Sequence, residues 1–129
     1  MKRAIALRRD KNDSQWQQLK EKIKARDKHQ DRLLRVLTVK EALLLKRKAP
    51  RIQLEKLDNC HIFPVSIYPD LMYDPNNVIL MNRYSHGNLD NMKHPVTGDP
   101  ITYEERQEWW SRVAGCQWQK LMNHLDGDS

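Results

Sequence analysis

The stretch from residue 57 to residue 90 contains three chemically useful side chains at distinctive spacings. His61 is followed sixteen residues later by Asn77, and Asn77 is followed nine residues later by His86. An apolar run, 78–81, comes directly after the asparagine. The pattern predicts a strand that ends in a histidine, a loop, a return strand and a short helix that carries the second histidine.

The segment before this stretch has the periodicity of helices. Asp13 or Ser14 is a good N-cap, and apolar residues follow at helical spacing: Trp16, Leu19 and Ile23. The apolar stripe lapses over 26–31 before it resumes at Leu33. Either one long helix exposes a polar turn there, or two helices meet near 27–31.

Thr38 and Glu41 have the spacing of a capping box and predict the start of another helix. Pro50 ends that helix, because proline lacks the amide hydrogen that a helix interior needs. Residues 52–57 alternate imperfectly and are interpreted as a strand that runs into 58–61.

The rest of the chain is predicted to contain a loop and two helices. Residues 64–77 are rich in proline and form a loop longer than a hairpin needs, which favours a site there. Asn82 is a plausible cap for the short helix that carries His86. A second capping box at Thr102 predicts one C-terminal helix over 101–125.

These elements predict one domain over residues 1–129, of the α+β class and mostly helical. Its parts are a basic helical segment, 1–50, a core of two strands and a short helix, 51–92, and a C-terminal packing helix, 101–125. The tryptophans of that last helix are interpreted mainly as core residues.

The net charge of +6 is divided unevenly along the chain. Residues 1–60 contain 18 Lys and Arg against 8 Asp and Glu, whereas residues 61–129 contain 5 against 9. A basic half of this kind indicates a polyanionic partner such as nucleic acid. The alternative is a solvated helical surface that is rich in lysine.

Several classes of protein are disfavoured by the sequence. The apolar runs are far shorter than the roughly 18 residues of a membrane span, and no secretory signal is present, so an intracellular, cytoplasmic protein without membrane contact is expected. The two cysteines, Cys60 and Cys116, are far apart and form no CxxC pair, which excludes a cysteine zinc knuckle.

The central stretch has the residue types that phosphodiester hydrolysis requires. His61, at a strand end, offers an imidazole whose pKa suits a general base. His86 and Asp90 are four residues apart on a helix and share a face. Asp58 shares a strand face with Cys60, while His61 either points the other way or sits where the strand bends.

A set of one His and two Asp ligands suits Mg²⁺ or Mn²⁺ and, less selectively, Zn²⁺ or Ni²⁺. Zinc would be favoured if Cys60 were a ligand. Arg83, next to these residues, is a candidate to hold the scissile strand. Four further cations either bind phosphates or complement a helix dipole: Lys46, Arg47, Lys48 and Arg51.

In order and spacing, His61, Asn77 and His86 resemble the ββα-metal core of the HNH endonucleases. The resemblance implies a β-hairpin plus a short helix, with His61 as general base, Asn77 as the residue that steadies the loop and His86 as metal ligand. Asn82 and Ser85 stand where many members have zinc-knuckle cysteines, so no structural zinc is expected.

Within 57–78, the pattern is most similar to the recombination endonucleases of lambdoid phages. The Asp-x-x-His arrangement of Asp58 and His61 implies that Asp58 is a metal ligand, whereas the family usually places its ligand where Cys60 stands. Asp90 matches a second helix ligand. What the resemblance implies is a metal-dependent DNA endonuclease, with a homodimer as one expected assembly.

Two alternatives stay open at the level of the sequence. The first is a non-catalytic nucleic-acid-binding module on a degenerate HNH core, motivated by the missing cysteines and by Cys60. The second is a helical interaction domain whose tryptophan-rich C-terminal helix binds a protein.

Overall fold

The computed structural model describes residues 13–52 and 56–127. Residues 1–12, 53–55 and 128–129 lie outside the described residues. The architecture is α+β and mostly helical, as predicted. The described residues form two strands, β1 (Leu57–His61) and β2 (Val78–Asn82), and six α-helices: α1 (Ser14–Arg26), α2 (Arg32–Val36), α3 (Val39–Lys48), α4 (Arg83–Asp90), α5 (Tyr103–Ala114) and α6 (Cys116–Gly127).

The starts of the helices follow the capping residues in the sequence. Asp13 accepts a hydrogen bond from the amide of Gln15 at 2.9 Å and begins α1. Thr38 and Thr102 each form a complete capping box, at the starts of α3 and α5. Asn82 caps α4 by accepting a hydrogen bond from the amide of Ser85 at 2.7 Å. These side chains satisfy amides that the first turn of a helix leaves without partners.

The polar segment after α1 separates two helices, so the second of the two interpretations of 26–31 is correct. α1 ends at Arg26 and α2 begins at Arg32. The intervening turn contains Lys28 and His29 with positive φ angles of 57° and 56°. Left-handed backbone of this kind cannot continue a right-handed helix.

Two sequence-based boundaries are wrong. Of the strand predicted over 52–57, Ile52 lies in a helical turn and 53–55 lie outside the described residues, and β1 begins at Leu57, which pairs with Asn82. The single C-terminal helix predicted over 101–125 is two helices. Gly115, with φ 60° and ψ −127°, separates α5 from α6.

The sheet is a two-stranded antiparallel hairpin, and α4 follows β2 directly. His61 lies opposite Val78, at the end of the hairpin where the loop over 62–77 begins. That loop contains two short 3-10 turns, Pro69–Leu71 and Pro75–Asn77.

Each face of the hairpin is covered by a different apolar cluster. On one face, Val78 and Leu80 pack against the buried residues of α1. On the other, Cys60, Ile79 and Met81 belong to a larger cluster that includes residues of α2, α3, α4, α5 and α6. Side chains alternate between the faces of a strand, so neighbouring residues of β1 enter different environments.

Two buried aspartates cover the outer edge of β2. Asp27 accepts a hydrogen bond from the amide of Leu80 at 3.1 Å, and Asp31 accepts one from the amide of Asn82 at the same distance. Arg26 and Arg32 neutralise Asp27 at 2.8 Å and 2.9 Å. The segment that breaks the apolar stripe therefore supplies the strand edge with hydrogen-bond partners that a third strand would otherwise provide.

Among the described residues, no helix is long and apolar enough to cross a bilayer.

Candidate functional site

Asp58 of β1 and His86 of α4 meet across the junction of the hairpin and the helix. Asp58 Oδ2 lies 3.2 Å from His86 Nδ1, and Asp90 Oδ2 lies 3.1 Å from His86 Nε2. Arg83 adds a third contact, with its Nη2 atom 3.1 Å from Asp58 Oδ1. The three residues that the sequence predicts as metal ligands are therefore neighbours, with His86 in the centre.

The charges of this cluster stabilise one another. Burial by itself would raise the pKa of the Asp58 carboxyl, but hydrogen bonds from Arg83 and His86 outweigh it and hold that pKa below its ordinary value. For His86, burial would lower the pKa, but Asp90 and then Asp58 outweigh it and raise the pKa. Since both ring nitrogens donate to carboxylates, the imidazole is stabilised in its protonated form.

The two aspartates contact different nitrogens of the His86 ring, so in this arrangement an ion on either nitrogen would have one of the two carboxylates beside it. Within residues 13–52 and 56–127, no three His, Cys, Asp or Glu side chains form a group that could hold a metal ion. A cation at Nδ1 would have Asp58 beside it, whereas Asp90 would accept the hydrogen of Nε2. In metal sites a carboxylate commonly orients a ligating histidine in this way.

The imidazole of His86 and the carboxylate of Asp58 suit Mg²⁺ or Mn²⁺ better than a zinc ion held by four protein ligands. One imidazole and one carboxylate from rigid elements leave most coordination positions to water and to a phosphate. Mg²⁺ is bound in this way, and Mn²⁺ accepts similar ligands. A zinc ion held by four protein ligands does not fit the described residues.

Cys60 does not belong to the ligand set. Its side chain is buried in the large apolar cluster, and its Sγ atom lies 3.5 Å from the carbonyl oxygen of Asp58. Burial, with the charge of Asp58 adding to it, raises the pKa of the thiol well above its ordinary value. A buried neutral thiol is a poor metal ligand, because the thiolate is the ligating form.

His61 lies on the opposite face of β1, as the strand alternation predicts. Its ring stacks on Trp16, with centroids 5.3 Å apart and an interplanar angle of 23°. Its Nε2 atom donates to the carbonyl oxygen of Met72 at 2.9 Å. Since a carbonyl can only accept, the neutral ring carries its hydrogen on Nε2 and its basic lone pair on Nδ1.

Asn77 is fully buried and connects the two ends of the long loop. Its Oδ1 atom accepts from the amide of Phe63 at 2.8 Å, and its Nδ2 atom donates to the carbonyls of Phe63 and Leu71 at 3.1 Å and 3.2 Å. These hydrogen bonds hold the loop that follows His61. The resemblance implies the same role for Asn77.

A cleft of about 350 Å³ runs along the outer edge of β1 and contains Asp58, Arg83 and His86. Its other walls come from α1, from the residue before β1 and from β1 itself: Trp16, Lys20, Lys56, Leu57 and Asn59. Asp90 and His61 do not line this cleft, although Trp16 connects it to His61 through the ring stack.

Sequence reasoning missed Lys20, Lys56 and Asn59. The spacing of Trp16 and Lys20, four residues apart on α1, was the available signal, since such residues share a helix face. Asn59 has a buried Oδ1 atom for which the described residues supply no hydrogen-bond donor. A buried acceptor without a donor is rare and indicates a place for water or a ligand.

Of the predicted phosphate-binding residues, one lies in the cleft and the others lie elsewhere on the surface. Arg83 is in the cleft, where it contacts Asp58 with a side chain that is 70% exposed. The cations at the end of α3 and just beyond it are exposed and do not line the cleft: Lys46, Arg47, Lys48 and Arg51.

A larger groove, of about 910 Å³, lies over α5 and contains none of the predicted site residues. Trp109 and Trp118 line this groove and are partly buried, whereas Trp110 is fully buried in the apolar cluster. His94 is half-buried in the same groove. Its Nδ1 atom accepts from the amides of Val96 and Thr97.

Comparison of the chain with protein-family models, with curated proteins and with solved structures finds no match.

Proposed function

We propose that the chain is a metal-dependent DNA endonuclease with a ββα-metal core formed by β1, β2 and α4. The observation that carries the proposal is the pairing of Asp58 and His86 at 3.2 Å across the hairpin and the helix, in a cleft that also contains cations. The residues that form this pair are ones that the HNH resemblance implies as ligands, and Asn77 anchors the loop between the strands.

Asp58 and the Nδ1 atom of His86 would hold the ion, and Asp90 would orient His86 through Nε2. A divalent ion bound there supplies positive charge that offsets the charge developing on the phosphate and on the leaving oxygen. Mg²⁺ or Mn²⁺ is the proposed cofactor, in line with a donor set that leaves positions for water.

The scissile phosphate would lie at the outer edge of β1, which is reached from both faces of the strand. His61 ends β1, three residues or about 10 Å along the strand from Asp58. Its Nδ1 atom takes a proton from water, the water oxygen bonds to phosphorus, and the bond between phosphorus and the 3′ oxygen breaks. The departing oxygen takes a proton from solvent, which leaves a 5′-phosphate and a 3′-hydroxyl.

Nicking of supercoiled plasmid tests the proposal. We expect wild-type protein to nick with Mg²⁺ or Mn²⁺ and to stop when a chelator is added. His61→Ala and His86→Ala should each lose at least about a hundredfold in rate, which is the scale of general-base and metal-ligand contributions. His124→Gln, an exposed histidine on α6, is the matched control and should stay within about twofold.

Full activity of His61→Ala would exclude this histidine as the base. Full activity of His86→Ala together with insensitivity to chelator would exclude the metal site.

The second candidate is a nucleic-acid-binding module on a degenerate core, and two observations favour it. Cys60, at the usual ligand position of the family, is a buried neutral thiol, and no three-residue ligand group exists among the described residues. Metal-independent DNA binding by wild-type protein, without nicking in either metal, would support this candidate over the endonuclease.

A further inference from the structure

The cleft at the outer edge of β1 has walls from three parts of the chain. Lys20 comes from α1, Lys56 from the residue before β1, and Arg83 from the first turn of α4. Because α1 covers one face of the hairpin and α4 packs on the other, the cleft surrounds the strand edge from both sides.

The charges of the cleft favour an anion. Among the described residues that line it, three are lysine or arginine and Asp58 is the one carboxylate. Arg83 and His86 already contact Asp58. Within the part of the chain that the structure describes, Lys20 and Lys56 form no ion pair, so both ammonium groups are available to an anionic ligand.

The backbone of β1 adds a hydrogen-bond donor to the same cleft. On β2, the amide of Leu80 points to the outer edge, where it contacts Asp27. Asn59 lies directly opposite Leu80. Residues directly opposite each other in an antiparallel pair both point inward or both point outward, so the amide of Asn59 faces the outer edge of β1.

The exposed cations at the end of α3 do not share these properties. Lys46, Arg47 and Lys48 lie in the last turn of α3, where positive charge complements the helix dipole. They line neither the cleft nor the groove over α5.

We infer that the cleft along β1 is the track of a nucleic-acid backbone, with Lys20, Lys56 and Arg83 in contact with successive phosphates. The amide of Asn59 donates to a phosphate oxygen between them. The inference rests on the proposed function in taking DNA as the partner. It assigns phosphate binding to Lys20 and Lys56, and it removes Lys46 and Lys48 from that role. These contacts position the strand without reading its sequence.

The test is the binding of a fluorescently labelled DNA duplex, measured by anisotropy over a series of salt concentrations in the presence of a chelator. The variant Lys20→Gln/Lys56→Gln is compared with Lys46→Gln/Lys48→Gln, which loses the same charge elsewhere. Each phosphate contact contributes about 0.9 to the slope of log affinity against log salt. We therefore expect a slope shallower by about 1.8 for the cleft variant and an unchanged slope for the α3 variant.

An equal loss of slope in both variants, or a loss confined to the α3 variant, would overturn the inference, as would a wild-type protein that does not bind the duplex. Circular dichroism and thermal melting of both variants confirm that they are folded. Because cutting is absent in chelator, the outcome is separate from that of the endonuclease proposal. Cleft-dependent binding without metal-dependent nicking would leave this inference standing and refute the endonuclease.

Discussion

At the scale of single residues, the arrangement of carboxylates around His86 assigns different parts to Asp58 and Asp90. Asp58, which lines the cleft, contacts Nδ1 of His86, whereas Asp90, on the same helix as His86, contacts Nε2. The sequence predicted both as ligands, because spacing places Asp90 and His86 on one helix face but does not say which ring nitrogen each carboxylate meets. In this arrangement an ion on either ring nitrogen would have one of the two carboxylates beside it.

Replacing these two aspartates should therefore have different effects on metal binding. We expect Asp58→Ala to lose Mn²⁺ binding by calorimetry, since it removes a direct ligand. Asp90→Ala should weaken binding by about tenfold to a hundredfold, which is typical when a residue that orients a ligand is removed. Loss of binding in Asp90→Ala as complete as that in Asp58→Ala would show that Asp90 is itself a ligand.

Some residue assignments follow from sequence and others do not. The opposite orientations of Asp58 and His61 follow from the alternation of a strand. The burial of Cys60 and the contact of Asn77 with Phe63, fourteen residues away, depend on how the loop and the helices pack. Local spacing carries no information on such packing, and for Asn77 only the family resemblance indicated a loop-fixing part.

At the scale of elements, capping chemistry predicted helix starts better than apolar periodicity predicted helix ends. Thr38, Asn82 and Thr102 begin helices through local side-chain hydrogen bonds that are readable from sequence. The break at Gly115 was missed because Trp110, Val113, Trp118 and Leu121 keep a helical spacing across it. A single glycine within such a pattern is compatible with a helix, and only its left-handed backbone shows that α5 ends there.

Gly87 and Gly115 give opposite predictions for substitution by alanine. Gly115 has φ 60°, and a β-carbon there would meet nothing within 4 Å, so the effect of Gly115→Ala is one of backbone strain alone. We expect a loss of about 1–3 kcal/mol in the free energy of unfolding.

Gly87 lies inside α4, also with space for a β-carbon, and Gly87→Ala should stabilise by about 0.5–1 kcal/mol. Urea unfolding of both variants measures the difference. A Gly115→Ala protein as stable as the wild type would show that α5 and α6 can join as one helix.

At the scale of the whole molecule, an ion pair joins the basic N-terminal part to the C-terminal helices. Arg112 of α5 contacts Glu41 of α3 at 2.6 Å and also stacks on Trp109. A hydrogen bond from Arg112 lowers the pKa of Glu41 to about 2. Because the folded pKa is below the ordinary value, the pair stabilises the fold above about pH 4.5 and loses that contribution as the pH falls toward 2.

Glu41→Gln tests this pair without removing the capping box, since glutamine serves at the third position of the box. Glu41 and Arg112 retain 25% and 35% of their side-chain exposure, so solvent screening limits the expected loss to about 1 kcal/mol near neutral pH. The free energy of unfolding in urea should be lower for Glu41→Gln than for wild type by a constant amount from pH 7 to pH 5, and by a smaller amount at pH 3. Glu104→Gln, an exposed glutamate on α5, is the control. A difference that grows on acidification would contradict the assignment.

The class of the fold and the order of its elements could be predicted from sequence, because alternation, helical periodicity and capping are local properties. The cleft could not, because its walls come from α1, β1 and α4, which lie far apart in the chain. The uneven charge indicated a polyanionic partner, but the clustering of cations in the sequence predicted phosphate binding by the residues at the end of α3. Lys20 and Lys56 lie on different elements, and both line the cleft only because α1 packs on the hairpin.

The aspartates on the edge of β2 set a lower limit on the length of a fragment that contains this site and still folds. A hairpin with one helix, cut out as residues 57–90, would leave the amides of Leu80 and Asn82 without Asp27 and Asp31. A two-stranded sheet by itself is only marginally stable in water. Grafting the site onto another protein would therefore require the turn between α1 and α2 as well. The grafted segment has to be longer than residues 57–90, which contain the proposed site residues.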